Sequence, residues 1–263
     1  DAHFSLERYD VALGYADDVD AGSLYAARAR WEHARALIAL EQEADALAEL
    51  RDLAARDPNR ELALRVADAF RLLDAPREAE AMYTRLIELG PADDPDWRPL
   101  FGRAAAYNEL GQWGEAEADL LAALEINPDQ PEVLNFLGYG WVDKGENIEA
   151  GLDLIRRAIA QRPQSGYIVD SLGWAHYRLG QYEDAARELE RAAELSPDNA
   201  EIISHLGDAY WRTGRRLQAG FEWRRALTLE QGEELAASLE EKLVEGLPET
   251  VAGGLAEATP AHQ

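Results

Sequence analysis

The side chains that could do chemistry are scattered rather than gathered. The five histidines are His3, His33, His176, His205 and His262. None stands in an H-E-x-x-H or H-x-x-x-H pair, so no helix face presents two imidazoles to a metal. His176 and His205 fall on first helices of successive repeats and could approach one another. Two ligands fall short of the three or four that zinc takes from a protein. Both therefore read as packed or half-exposed side chains. Asp17-Asp18 and Asp93-Asp94 read as solvated charges, because carboxylates are too abundant here for a pair to carry information. There is no glycine-rich phosphate loop and no G-x-S-x-G elbow. The absence of cysteine excludes disulfides, thiol catalysis and thiolate metal sites. The sequence predicts no enzyme, no cofactor and no metal.

Binding chemistry is better supplied. The chain carries 51 acidic and 26 basic residues among 263, a net charge of −25. Such a surface repels phosphate backbones, which excludes nucleic acid as the expected partner. The plain role of the acidity is solubility; the sharper one is attraction for basic protein segments. Hydrophobic residues make up 47% of the chain, enough for a continuous core. No run reaches the length of a transmembrane helix.

The stretch Gly166 to Asn199 reads as two helices back to back, about Gly166 to Arg178 and about Tyr182 to Leu195. Leu179-Gly180 ends the first and Ser196-Pro197 the second. Gly173, Ala185 and Ala192 are small where two helices must touch, and Leu172, Tyr182 and Leu189 fill the space around them. Neither helix can bury its apolar face alone, so the unit needs copies as neighbours. Leu172-Gly173 recurs 35 residues upstream as Leu137-Gly138 and 34 downstream as Leu206-Gly207. The turn glycine recurs as Gly111, Gly145, Gly180 and Gly214, and the stop proline as Pro128, Pro163 and Pro197. The expected architecture is all-α.

Taken in order, residues 1–26 read as the second half of a repeat whose beginning is missing, with Tyr9, Ala12 and Val19 on one stripe. Residues 27–93 hold two divergent repeats, 27–59 and 60–93. In the first, Glu41 replaces the turn glycine and Asp57-Pro58 ends the repeat. Pro91 to Asp96 is a short insertion, a longer solvated loop or a flexible point. Residues 97–233 hold four regular repeats: 97–130, 131–165, 166–199 and 200–233. The second is one residue long, with the extra residue in the turn GENIE, which puts Gly151 at the small position. Asp129 with Glu132, and Asp198 with Glu201, have capping-box spacing. Residues 234–246 form a capping helix with Leu235, Leu239 and Leu243 on one face. Residues 247–263 are expected to be a mobile tail.

A fixed period near 34 with a helix-turn-helix in each copy resembles the tetratricopeptide repeat (TPR) family over nearly the whole chain. The resemblance implies a right-handed α-solenoid whose first helices line a concave groove. Carried over position by position, the family's groove residues fall on Trp31, Phe101, Asn108, Asn135, Tyr139, Tyr167, Trp174, Tyr177, Arg178, Trp211 and Arg212. Tyr, Trp and Arg are the types that anchor protein interfaces. The alternative for Trp174 and Tyr177 is that they pack against adjacent repeats. The subclass that grips a C-terminal carboxylate needs lysine, asparagine and arginine at positions that here hold Phe101, Ala105, Asn135, Tyr167 and Ser171. Only the asparagine fits, so such a tail is not the expected ligand.

The run from Val133 to Ala185 resembles repeats of proteobacterial TPR proteins, many of which work in the cell envelope. The resemblance implies a non-catalytic scaffold that takes an extended peptide or helix in its groove, one that the acidic surface would favour as basic, in a periplasmic or envelope setting. A substrate-recruiting arm of a larger enzyme, a cytoplasmic adaptor and self-association through one end stand beside that reading.

Overall fold

The computed structural model describes residues 26–56, 59–90, 95–229 and 232–248. The partial repeat expected over residues 1–26 and most of the 91–96 insertion lie outside them. So do Pro58, Gln231 and the tail beyond Pro248. Thirteen helices and no strands occur among the described residues. They divide into two compact units, residues 1–127 and 128–263.

The first unit contains α1 (Ala26–Ala39), α2 (Glu43–Ala55), α3 (Arg60–Leu72), α4 (Pro76–Glu88), α5 (Arg98–Glu109) and α6 (Trp113–Ile126). Its core gathers Leu50, Leu53, Val66, Phe70, Tyr83 and Leu86. Each odd helix packs on the even helix that follows, and α4 packs on α5 as well. Arg103 of α5 forks onto the Asp119 carboxylate of α6 at 2.7 and 2.8 Å in a largely buried pair. Asp119, chiefly through that hydrogen bond, holds the Arg103 guanidinium above its ordinary pKa despite burial.

The second unit contains α7 (Pro131–Lys144), α8 (Ile148–Gln161), α9 (Gly166–Arg178), α10 (Tyr182–Leu195), α11 (Ala200–Arg212), α12 (Arg216–Leu229) and α13 (Glu233–Glu245). Helix pairs approach closely where the repeat has a small residue. A Cβ on Gly138 would stand 2.7 Å from the Gly151 carbonyl oxygen, and one on Gly151 would stand 2.7 Å from that of Gly138. Gly173 meets Leu189 in the same way, and Gly207 makes room for the buried indole of Trp223. The α13 helix closes the apolar end of the array with Leu239 fully buried. A polar latch fixes it. Lys242 Nζ donates to Asp208 at 2.9 Å and to Ser204 at 3.1 Å, while Asp208 also accepts the Trp223 indole N–H at 2.8 Å.

Arg157, Arg191 and Arg225, spaced 34 residues apart, repeat one contact. Each guanidinium donates to the carbonyl of the proline that ends the preceding repeat, Pro128, Pro163 or Pro197, at 2.6–2.7 Å. Two expected caps differ. Asn199, not Asp198, caps α11 by accepting from the Ile202 N–H at 3.0 Å. Gln130 precedes α7 without a side-chain cap, and Asp129 instead pairs with Arg157. In both cases the residue next to the helix has the extended backbone that precedes a first turn, and the aspartate is one position too early.

The turn between helices of one repeat needs a left-handed residue. Gly111, Gly145, Gly180 and Gly214 supply it with φ between +72° and +79°. In the divergent repeats Glu41 and Asp74 adopt φ of +58° and +51° at that place. A side chain there costs about 1–2 kcal/mol, partly offset by the greater unfolded-state freedom of glycine. Glu41→Gly is expected to stabilise the chain by about 0.5–1 kcal/mol, read as a higher urea midpoint. An unchanged or lower midpoint would show that the Glu41 backbone is not strained.

Candidate functional site

Within the second unit the first helices of successive repeats are tied to one another by polar and stacking contacts. Asp143 of α7 accepts from Arg178 of α9 at 2.8 Å and from the Trp174 indole N–H at 3.4 Å. Trp174 stacks on Tyr177 with ring centroids 4.8 Å apart and planes 7° from parallel. Its indole also stacks on His205 of α11 at 4.3 Å. The His205 Nδ1 lies 3.0 Å from the Asp170 carboxylate of α9. Tyr177 accepts at its hydroxyl from Arg212 Nε at 3.0 Å. The result is a ladder of rings and charges running from α7 through α9 to α11.

The sequence-predicted positions fall in several environments. Trp174, Tyr177 and Arg178 are half-buried members of this ladder. Tyr139 is half-buried, and burial pushes its phenol pKa well above the ordinary range, with Asp143, Glu201 and Asp170 adding to the effect. Burial and the Asp208 carboxylate push the Tyr177 phenol up to about 12 against the opposing pull of Arg212. Asn135 is buried, and its Oδ1 has no hydrogen-bond partner among the described residues. Tyr167 opens to solvent, 47% exposed.

Trp211 and Arg212 are engaged by the chain itself. The Trp211 indole N–H donates to the Leu247 carbonyl at 3.2 Å, and Arg212 Nη1 donates to the Pro248 carbonyl at 2.6 Å. The first two residues of the expected tail thus lie against α11. Gly246, at φ +74°, makes this path available, because a Cβ there would overlap the Trp211 ring. Arg216 covers Trp211, its guanidinium carbon 3.7 Å from the ring centroid.

Three predicted positions belong to the first unit. Phe101 meets Trp97 edge to face at 5.9 Å, and Asn108 is exposed. Trp31 of α1 borders a cavity of 390 Å³ shared with Arg28, Leu62 and Arg65, and its buried indole N–H has no hydrogen-bond partner among the described residues. Sequence reasoning did not single out His205 as part of the site. The signal was present in its offset of 35 residues from Asp170, one repeat and one residue.

His176 and His205 have separate partners: His176 Nδ1 lies 2.6 Å from Gln181 Oε1. Among the described residues no three side chains are grouped to hold a metal, and no helix is long and apolar enough to cross a membrane.

The periodic hairpins and their spacing define the class. A family model described as "Tetratricopeptide repeat" matches residues 101–166, and a second, "TPR repeat", matches residues 173–214. The chain thus carries tetratricopeptide repeats, and its similarity extends to a proteobacterial protein. It is 31% identical over 99 residues to a TPR repeat-containing protein of Pseudomonas aeruginosa. That match takes in 38% of this chain and only 17% of the relative. A crystal structure of a TPR protein from Parabacteroides merdae matches with a TM-score of 0.74 at 14% identity, covering 91% of each chain. A thermophilic TPR protein of Thermus thermophilus matches with a TM-score of 0.61 at 20% identity, covering 70% of this chain and 99% of that one. At these identities the structures attest the fold alone.

The Asp170–His205 pair makes the ladder sensitive to pH. Burial disfavours the charged imidazole, but the Asp170 carboxylate, helped by Glu201 and Asp208, outweighs it and raises the His205 pKa. A raised folded-state pKa stabilises the fold fully below the ordinary histidine value of 6.5 and loses that contribution as pH rises through the folded value. The melting temperature is expected to fall as pH rises above the ordinary histidine value of 6.5. In His205→Asn that part of the slope is expected to vanish. Parallel pH profiles for the two proteins would sink the assignment.

Proposed function

We propose that this chain is a non-catalytic scaffold that binds another protein along the first-helix face of its second unit. The ligand is an extended peptide or inserted helix of basic character. The observation that carries this reading is the cross-repeat ladder, which holds Trp174 and Tyr177 in place without any ligand. Side chains fixed before the partner arrives lose little entropy on binding. The cations of this face are already engaged: Arg178 with Asp143, Arg212 with Tyr177 and Pro248, and Lys242 with Asp208. Glu201, at the start of α11, remains exposed. The charge left unneutralised is therefore negative, which favours a basic segment.

Tyr167 and Glu201 are the residues to change, because both are exposed and outside the ladder. In a screen of short basic peptides against the full chain, Tyr167→Ala and Glu201→Lys are each expected to weaken binding about tenfold, or about 1.4 kcal/mol, at unchanged helix content. Unaltered affinity in both variants, or a preference for acidic peptides, would overturn the reading.

The proposed setting is the bacterial envelope. It is supported by the likeness of the stretch from Val133 to Ala185 to proteobacterial repeats and by the Pseudomonas aeruginosa relative. Fractionation of source cells, with antibody raised to this chain, is expected to find it in periplasmic or membrane fractions. Recovery in the cytosol alone would favour an adaptor of the cell interior.

A further inference from the structure

The last repeat breaks the surface pattern of its neighbours. At matching places α8 carries Glu149 and Asp153, and α10 carries Glu183 and Arg187. Thirty-four residues after the α10 pair, α12 carries Leu217 and Phe221. All six side chains are exposed, Leu217 by 89% and Phe221 by 62%. With Arg224 and Thr228 they follow the i, i+4, i+7, i+11 spacing that aligns residues along one helix face. Arg224 is exposed and has no partner among the described residues. Its Nη1 reaches back to 3.6 Å from where a Gly220 Cβ would stand. The matching faces of α8 and α10 are charged, whereas this one shows two large apolar side chains beside an exposed arginine.

The next helix carries the complement. Glu233, Ala237, Glu240, Glu241 and Val244 share the exposed face of α13, and Val244 is 84% exposed. Each stripe spans twelve residues, from 217 to 228 and from 233 to 244, or about 16 Å of helix from first to last. One stripe is apolar and basic; the other is acidic with an apolar end. Because both lie on one chain, two copies related by a twofold axis would make the contact twice. That self-complementarity singles out a second copy of this chain over an unrelated acidic protein.

We propose that α12 and α13 form a self-association surface. The α12 helix of one copy lies on α13 of its partner, with Leu217 and Phe221 covered and Arg224 paired with Glu240 and Glu241. This assignment does not depend on the groove reading.

Sedimentation velocity on the full chain up to about 0.5 mM, near the weak end of specific protein association, tests it. A concentration-dependent dimer is expected. Leu217→Ser/Phe221→Ser is expected to stay monomeric throughout. Arg224→Glu is expected to weaken the dimer at least tenfold, and Glu240→Arg/Glu241→Arg in the same chain is expected to restore it. All five positions are exposed, so circular dichroism should show unchanged helix content. A monomer at every concentration would overturn the proposal. So would a dimer indifferent to the apolar changes, or a charge reversal that is not rescued.

Discussion

Close approach of paired helices is the constraint on which the rest depends. A single TPR helix has one apolar stripe and too little of it to stay folded alone. The pair becomes stable where one backbone can come near the next. Gly138 and Gly151 do this for each other, Gly173 does it for Leu189, and Gly207 does it for Trp223. Once those distances are set, the large side chains have only one space to fill. Leu189, Ile155 and Trp223 are accordingly all buried. The first helices are then held near enough for Asp143, Asp170 and Tyr177 to reach across to the next repeat.

The helices were legible because the chain punctuates them. Glycine supplies the left-handed turn and proline ends the second helix, so period and phase can both be read from residue types. Even Glu41, which departs from the pattern, was visible as a departure, and the structure gives it a positive φ, as it does the turn glycines of the regular repeats. Caps were less legible. Asp198 and Asn199 are both competent acceptors, and only the backbone path decides which meets the Ile202 N–H. The arginine contacts to the proline carbonyls were hidden for a related reason. The spacing of Arg157, Arg191 and Arg225 is plain in the sequence, but their acceptor is main chain, which has no residue type to recognise.

The candidate site divides along the same line. Position within the repeat correctly places Trp174, Tyr177, Arg178 and Arg212 on the first helices, but it is silent on what their polar atoms do. In the structure those atoms face neighbouring repeats or the chain's own carbonyls. A side chain can be both a tie between repeats and part of a binding wall where its contacts leave some of its surface open, as the half-buried Trp174 and Tyr177 do. Tyr167 is different: it lies open on α9 with 47% of its surface exposed. The path of Leu247 and Pro248 over Trp211 depends on Gly246 being at φ +74°, a backbone state that residue spacing does not reveal.

The arginine contacts have a mechanical consequence. Each one bridges only from a second helix to the end of the repeat before it, at a sequence distance of 28 or 29 residues. No such bond spans two repeats. Under load or heat the C-terminal array can therefore fray from its end one hairpin at a time, and each lost hairpin releases a single rivet. What remains keeps its own bonds intact, so the frayed end can zip back onto a template that never came apart.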